Sequence, residues 1–144
     1  MKKVNDVLSR KGANIISVPP ETSVIDALQL MAEHNIGSIA VMNEKNYLGL
    51  MTERDYSRKI ALKGKSSTDT KVTEIMTTDL PQVSPGDTIE YCMQLMSVKN
   101  VRYLPVFEGD SMKGLISIND VVKETILSHE ETITNLKDYL HGNM

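Results

Sequence analysis

Twice in this chain a hydroxyl residue stands three places before an aspartate, after a short apolar run that begins with glycine. The first instance is GLMTERDYSRK from Gly49, with Thr52 and Asp55; the second is GLISINDVVK from Gly114, with Ser117 and Asp120. Two chemistries fit the spacing. Ser/Thr-x-x-Asp can cap a helix, the hydroxyl and the carboxylate each taking a backbone N–H that has no partner in the first turn. Alternatively, a strand running into a helix start leaves N–H donors and a partial positive charge for an anion. A carboxylate there can accept both hydrogen bonds of a vicinal diol such as the 2′- and 3′-hydroxyls of a ribose. A duplication copies a cap as readily as a binding group, and spacing alone favours the cap.

The elements that must position these residues are themselves duplicated. An offset of 65 aligns the two motifs, and with them Val18 on Val83, Pro20 on Pro85, Gln29-Leu30-Met31 on Gln94-Leu95-Met96 and Asn35 on Asn100. The same offset carries Val41 onto Val106 and Gly49-Leu50 onto Gly114-Leu115 without a gap. A short prelude recurs at a slightly larger offset, Val4-x-Asp6-Val7-Leu8 against Val72-x-Glu74-Ile75-Met76. Self-similarity at a fixed offset marks a repeated supersecondary unit.

Within each copy, apolar residues recur at helical spacing: Val24, Ala27, Leu28 and Met31, then Ile89, Cys92, Met93 and Met96. Ser23 with Asp26, and Asp87 with Glu90, are the expected caps. SIAVM and YLPVF then read as strands, followed by turns and the runs YLGLMT and MKGLIS. Pro105 inside YLPVF points to an edge strand or a strand end. A second helix is expected from Thr52 and from Ser117, which makes each copy β-α-β-β-α. The expected division is a first unit over 1–62, a polar exposed connection over 63–71, a second unit over 72–128 and an extra helix over 129–144. That helix carries Ile133, Leu136 and Leu140 on one stripe, with Gly142 as its C-cap, and is placed to cover a core edge or dock on a neighbouring subunit.

Composition narrows the function classes. The chain has 144 residues, 40% hydrophobic and 24% charged, as expected of a globular protein with a real core. A net charge of −3 argues against a broad nucleic-acid-binding surface. MKKVNDVLSRKG has no apolar stretch behind its lysines, so no signal peptide is read, and no apolar run is long enough to span a bilayer. The single cysteine, Cys92, fits a reducing cytoplasm. It sits on the apolar stripe at the position matching Ala27 of the first copy, as a small core residue rather than a nucleophile. His34, His129 and His141 have no metal-ligand spacing, and no metal site is expected. No Walker loop, nucleophile elbow or paired histidine and nucleophile is present, so no catalytic residue is assigned and an enzyme is not expected.

The repeated Gly-apolar-apolar-Thr/Ser-x-x-Asp, each time preceded by a helix and a strand, resembles the motif of tandem cystathionine-β-synthase (CBS) domains, the pair called a Bateman module. The resemblance runs from Val4 to about Ile126, and the run MTERDYSRKIALKGKSSTDTKVTEIM is similar to small free-standing bacterial members. It implies an α+β fold in which two CBS units pack through their sheets with pseudo-twofold symmetry, with a C-terminal helix added. It further implies clefts between the units for adenosine ligands such as AMP, ADP, ATP, NAD or S-adenosylmethionine, with Asp55 and Asp120 on the ribose and Thr52 and Ser117 on ribose or phosphate. Asn14 and Ile16 match the stretch that offers backbone to adenine, while their counterparts around Asp79 and Pro81 depart from it, since proline has no N–H to give. Arg102 matches a phosphate-facing cation, whereas its counterpart is Gly37, so unequal clefts are expected. Ser38, Tyr103 and Asn119 complete the implied nucleotide-binding set. Arg54 and Arg58, four apart, offer either one cationic face for phosphate or, with Lys59, a solvated helix face. Tyr56 and Tyr103 flank the motifs, where packing is the commoner role and stacking on adenine the alternative.

The function this implies is a cytoplasmic regulatory sensor of adenine nucleotide, and hence of energy state. It is expected to be a homodimer acting through oligomer geometry or on a separate protein. The alternative is a scaffold of the same fold that binds no ligand.

Overall fold

In the computed structural model of the chain, residues 2–140 are described, with side chains for residues 2–130. The elements are α1 (Val4–Lys11), β1 (Ser17–Val18), α2 (Val24–His34), β2 (Ser38–Asn43), β3 (Asn46–Thr52), α3 (Glu53–Tyr56), α4 (Ile89–Lys99), β4 (Tyr103–Glu108), β5 (Ser111–Ser117) and α5 (Ile118–Leu140). A π-helical turn at Ser57–Ala61 continues α3, and a 3-10 turn stands at Val72–Glu74. The fold is α+β, and α5 is its C-terminal helix. The helix expected separately over 129–144 is the continuation of the second motif helix. The side chains of Ile133, Leu136 and Leu140, and Gly142 altogether, lie outside the described residues.

The chain divides into two compact units, one contiguous (Ile15–Asp79) and one discontinuous (Met1–Asn14 with Leu80–Met144). These are not the two sequence copies, because each prelude packs with the other copy. In the contiguous unit, Val72 N–H donates to Thr22 C=O and Val24 N–H to Thr70 C=O. In the discontinuous unit the matching bonds run from Val4 N–H to Asp87 C=O and from Ile89 N–H to Lys2 C=O. The connection read as exposed is so from Ala61 to Ser66, but its end turns inward, with Thr70 buried. The prelude is a full helix only the first time. After Leu8 come Ser9, Arg10 and Lys11, with Gly12 at φ 89° ending the helix. After Met76 come two β-branched threonines and, three places beyond the second, Pro81, which disfavour a helix.

In the contiguous unit the sheet order is β1-β2-β3, with β1 parallel and β3 antiparallel to β2. Val18, Ile39, Val41 and Met51 meet Val24, Ala27 and Met31 of α2 in one core, closed by Ile60, Val72 and Ile75. Tyr56 packs half-buried against this core, as the packing reading had it. The discontinuous unit repeats the plan with β4 and β5, but its first strand is reduced to a single bridge, Val83 to Val106. Two prolines account for the loss. Ala40 N–H donates to Ile16 C=O in the first copy; the matching residues are Pro105, which has no N–H, and Pro81.

Asn35 and Asn100 both end their helices in the left-handed region at φ 53°, which Asn tolerates better than most residues. Two expectations need correction. α4 is capped by Thr88, whose hydroxyl accepts from Tyr91 N–H, while the Asp87 carboxylate accepts from Ser84 N–H in the preceding turn. Met93, read as core, is 37% exposed.

Candidate functional site

Each motif begins where a strand must lie very close to another segment. A Cβ on Gly49 would stand 2.8 Å from the Thr77 carbonyl oxygen and 2.9 Å from Met76 Sδ; one on Gly114 would stand 2.7 Å from Leu8 Cδ2. The glycines let the preludes cross β3 and β5. Leu50 and Thr77 exchange both backbone hydrogen bonds at 2.9 and 2.8 Å.

Past the glycines the strands run directly into helix starts, and both expected caps form. Thr52 Oγ1 accepts from Asp55 N–H at 3.0 Å, while Asp55 Oδ2 accepts from Thr52 N–H at 3.0 Å. Ser117 Oγ accepts from Asp120 N–H at 3.2 Å, while Asp120 Oδ2 accepts from Ser117 N–H at 2.8 Å. The next N–H is taken by the preceding strand's entry: Glu53 donates to Gly37 C=O at 3.0 Å and Ile118 to Arg102 C=O at 2.8 Å. Sheet register sets Ser38 beside Thr52 and Tyr103 beside Ser117. The structure therefore gathers Gly37, Ser38, Thr52 and Asp55 around one cap, with Arg54 half-buried on its first turn, and Arg102, Tyr103, Ser117, Asn119 and Asp120 around the other. Arg102 and Asn119 are exposed. Arg58 lies exposed in the π turn. Ile16 is half-buried against the core with its carbonyl bonded to Ala40, and Asn14 is exposed at the boundary of the discontinuous unit.

The two carboxylates differ in what remains free. Asp55 is 6% exposed. Its Oδ2 also accepts from Thr52 Oγ1 at 3.0 Å, Thr77 Oγ1 lies 2.9 Å from Oδ1 and 3.1 Å from Oδ2, and Lys59 Nζ is 3.0 Å from Oδ1. A carboxylate offers about four acceptor positions, so Asp55 is saturated by its own unit. Asp120 directs everything through one oxygen: Oδ2 takes Ser117 N–H, Ser117 Oγ at 3.0 Å and Lys11 Nζ at 2.8 Å. Among the described residues its Oδ1 has no partner.

Two lysines that sequence reading did not place at the motifs are thus part of them. Lys59, read as solvated, folds back to Asp55 and donates to Ile75 C=O at 2.8 Å. Its i,i+4 spacing from Asp55 was the available signal. Lys11, which also donates to Leu115 C=O at 3.0 Å, lies 109 residues before Asp120, beyond the reach of local spacing. The position matching Lys59 in the second copy is Glu124, an inversion of charge. Glu124 is 2% exposed, with Oε1 3.2 Å from Arg10 Nη1 and Oε2 unpartnered among the described residues. The cations that the first copy carries on its motif helix, the second receives from α1.

Cys92 is fully buried, and desolvation, reinforced by Asp87 and Glu90, pushes its thiol up to about 11. Among the described residues no three His, Cys, Asp or Glu side chains are grouped to hold a metal ion, and no helix is long and apolar enough to cross a membrane.

The model of the CBS domain matches residues 4–62 and 72–126. Among curated proteins, the mitochondrial CBS domain-containing protein CBSX3 of Arabidopsis thaliana is 35% identical, over 96% of this chain and 72% of its own. Among solved structures, the CBS-domain containing protein ATU1752 from Agrobacterium tumefaciens superposes with a TM-score of 0.82 at 33% identity, covering 86% of this chain and 99% of its own. The CBS domain pair of protein MJ0100, solved with 5′-methylthioadenosine and S-adenosyl-L-methionine, shares the fold at 20% identity and a TM-score of 0.75, over 87% of this chain and 96% of its own.

Proposed function

The chain belongs to the CBS domain family, and from that premise we propose that it is a regulatory binding module for an adenosine compound, with Asp120 as the carboxylate that receives the ribose. The observation that carries this reading is that, among the described residues, Oδ1 of Asp120 has no partner, in a cap otherwise built like that of Asp55. The discontinuous unit also holds Arg102 where the contiguous unit has Gly37, a cation for the phosphates of AMP, ADP, ATP or NAD. Tyr103, Ser117, Asn119 and the exposed Asn14 belong to the same unit. Thr52 and Asp55 act as a structural cap in this reading, with Arg54 and Arg58 as its secondary phosphate candidates. The two ligands solved with the MJ0100 pair support the adenosine class.

Such a module works by differential affinity, because a ligand shifts an equilibrium only as far as it prefers one arrangement. It regulates rather than catalyses, and the cytoplasm is the compartment we propose for it.

The test is calorimetric titration of wild type, Asp120→Ala and Asp55→Ala with AMP, ADP, ATP, NAD and S-adenosylmethionine. Losing hydrogen bonds to a charged group weakens binding by about 10- to 100-fold, and that loss is expected in Asp120→Ala only. Absence of binding by folded, nucleotide-free protein returns both motifs to the role of caps in a scaffold.

A further inference from the structure

The two preludes meet their motif strands in different ways, and the difference reaches the motif carboxylates. In the contiguous unit Thr77 bridges β3 directly. Its N–H donates to Leu50 C=O at 2.8 Å, and its hydroxyl lies 2.9 Å from Asp55 Oδ1 and 3.1 Å from Oδ2. One residue thus closes a strand carbonyl and covers the carboxylate on both oxygens. In the discontinuous unit the prelude is α1, and the position matching Thr77 is Ser9, whose N–H is spent within its own helix. Leu115 C=O, the counterpart of Leu50 C=O, therefore needs another donor. Lys11 supplies it, with Nζ 3.0 Å from Leu115 O and 2.8 Å from Asp120 Oδ2. A single ammonium takes both roles of Thr77, but it meets the carboxylate on one oxygen only. The match depends on strand register, Leu50 opposite Ala40 and Leu115 opposite Pro105, and not on the motif helices, which differ.

Lys11 is firmly held in this place. Two of its three N–H donors are engaged, so the ammonium cannot swing away without freeing a carbonyl and a carboxylate together. Val4, Val7 and Leu8 anchor α1 in the core. On its last turn Arg10 Nη1 lies 3.2 Å from Oε1 of the buried Glu124, one turn beyond Asp120 on α5. Two ion pairs one turn apart therefore fasten the end of α1 just before Gly12 terminates it. On Oδ2, Lys11 joins Ser117 N–H and Ser117 Oγ, and three donors leave that oxygen no capacity for another. What is left to a ligand is Oδ1, whose two lone pairs suffice for both hydroxyls of a vicinal diol.

We propose that Lys11 is the positioning residue of this site: it holds Asp120 by Oδ2, where the first copy uses the Thr77 hydroxyl on both oxygens, and so keeps Oδ1 for the ribose. The inference rests on Asp120 being the ribose carboxylate. It gives Lys11 a role distinct from that of Arg102, because a positioning residue acts through Asp120 and not on phosphate.

The experiment is calorimetric titration of the full chain with adenosine and with AMP, with far-UV circular dichroism to verify folding. Lys11→Met keeps an apolar stem of similar length and removes the donors. It is expected to weaken adenosine and AMP alike by about tenfold, the size of a lost hydrogen bond to a charged group. Lys11→Arg, whose guanidinium carries donors for both acceptors, is expected to recover most of that loss. In an Asp120→Ala background Lys11→Met is expected to change neither affinity, because the group it positions is gone. Weakening of AMP with adenosine spared makes Lys11 a phosphate ligand and overturns the proposal. So does an equal loss with and without Asp120, or an indifferent Lys11→Met in a protein whose binding Asp120→Ala removes. Wild type that binds neither compound defeats the reading of Asp120 itself, and this inference with it.

Discussion

Alanine at Gly49 and alanine at Gly114 are the same chemical change at matching places in two copies of one motif, yet they meet different obstacles. At Gly49 the new methyl lies 2.8 Å from a backbone oxygen, Thr77 C=O, and that oxygen accepts the Leu50 N–H at 2.9 Å. The segment cannot recede without loosening this bond, its reciprocal bond, and the Thr77 hydroxyl on Asp55. Overpacking costs about 1–3 kcal/mol and each of the three weakened hydrogen bonds about 1 kcal/mol, so Gly49→Ala is expected to cost about 4–6 kcal/mol. At Gly114 the obstacle is Leu8 Cδ2, a side-chain end that can change rotamer, and about 1–2 kcal/mol is expected. Urea denaturation of both variants measures the difference, and thermal scans should show Gly49→Ala lower by several degrees. The double variants sharpen the comparison. Leu8→Val should recover much of the loss in Gly114→Ala, whereas Met76→Val should recover little in Gly49→Ala, because the carbonyl remains. Equal losses, or a Gly49→Ala within about 0.5 kcal/mol of wild type, would refute the reasoning.

Without ligand, Asp55→Ala should destabilise by about 3–4 kcal/mol, since it strands Thr77 and Lys59 as well as removing a cap, and Asp120→Ala by about 1–2 kcal/mol; a reversed order in denaturant titrations would contradict the assigned bonds. Burial raises the Cys92 thiol from 9.0 to about 11, so its contribution is complete below pH 9 and fades as pH rises through 11. That contribution amounts to about 2–3 kcal/mol. Stability measured across this range should fall more in wild type than in Cys92→Ala, the residue that Ala27 already supplies in the first copy. Identical slopes would count against it.

The duplication, the four strands after the long helices, and both caps could be read from periodicity and a fixed offset, because each depends on local chemistry. The ribose question could not, because capping and binding place the same residues at the same spacing. What separates them is Thr77, Lys59 and Lys11, two of which come from preludes distant in sequence. The exchange of preludes was equally hidden: an offset of 68 in place of 65 shows that each prelude joins its copy through a connection of different length, not which copy it packs against. The short first strand of the second copy was only half visible. Pro81 was read as a missing donor, but its effect depends on Pro105 standing opposite, a pairing that register alone reveals. Met93 misled because a small helical stripe reads as core on either of its margins.

The exchanged preludes also impose an order on folding as the chain is synthesised. The contiguous unit has all of its core once residue 79 has emerged, and the sequence separation of its contacts is bounded by its own length. The other unit joins the two ends of the chain. Val4, Val7 and Leu8 of α1 wait, exposed to water, until Val83, Leu104 and Ile116 have been made. A nascent chain therefore passes through a stage in which one finished body carries an amphipathic segment whose apolar face, Val4, Val7 and Leu8, has nothing to bind, and chaperone contact during synthesis should concentrate on that segment.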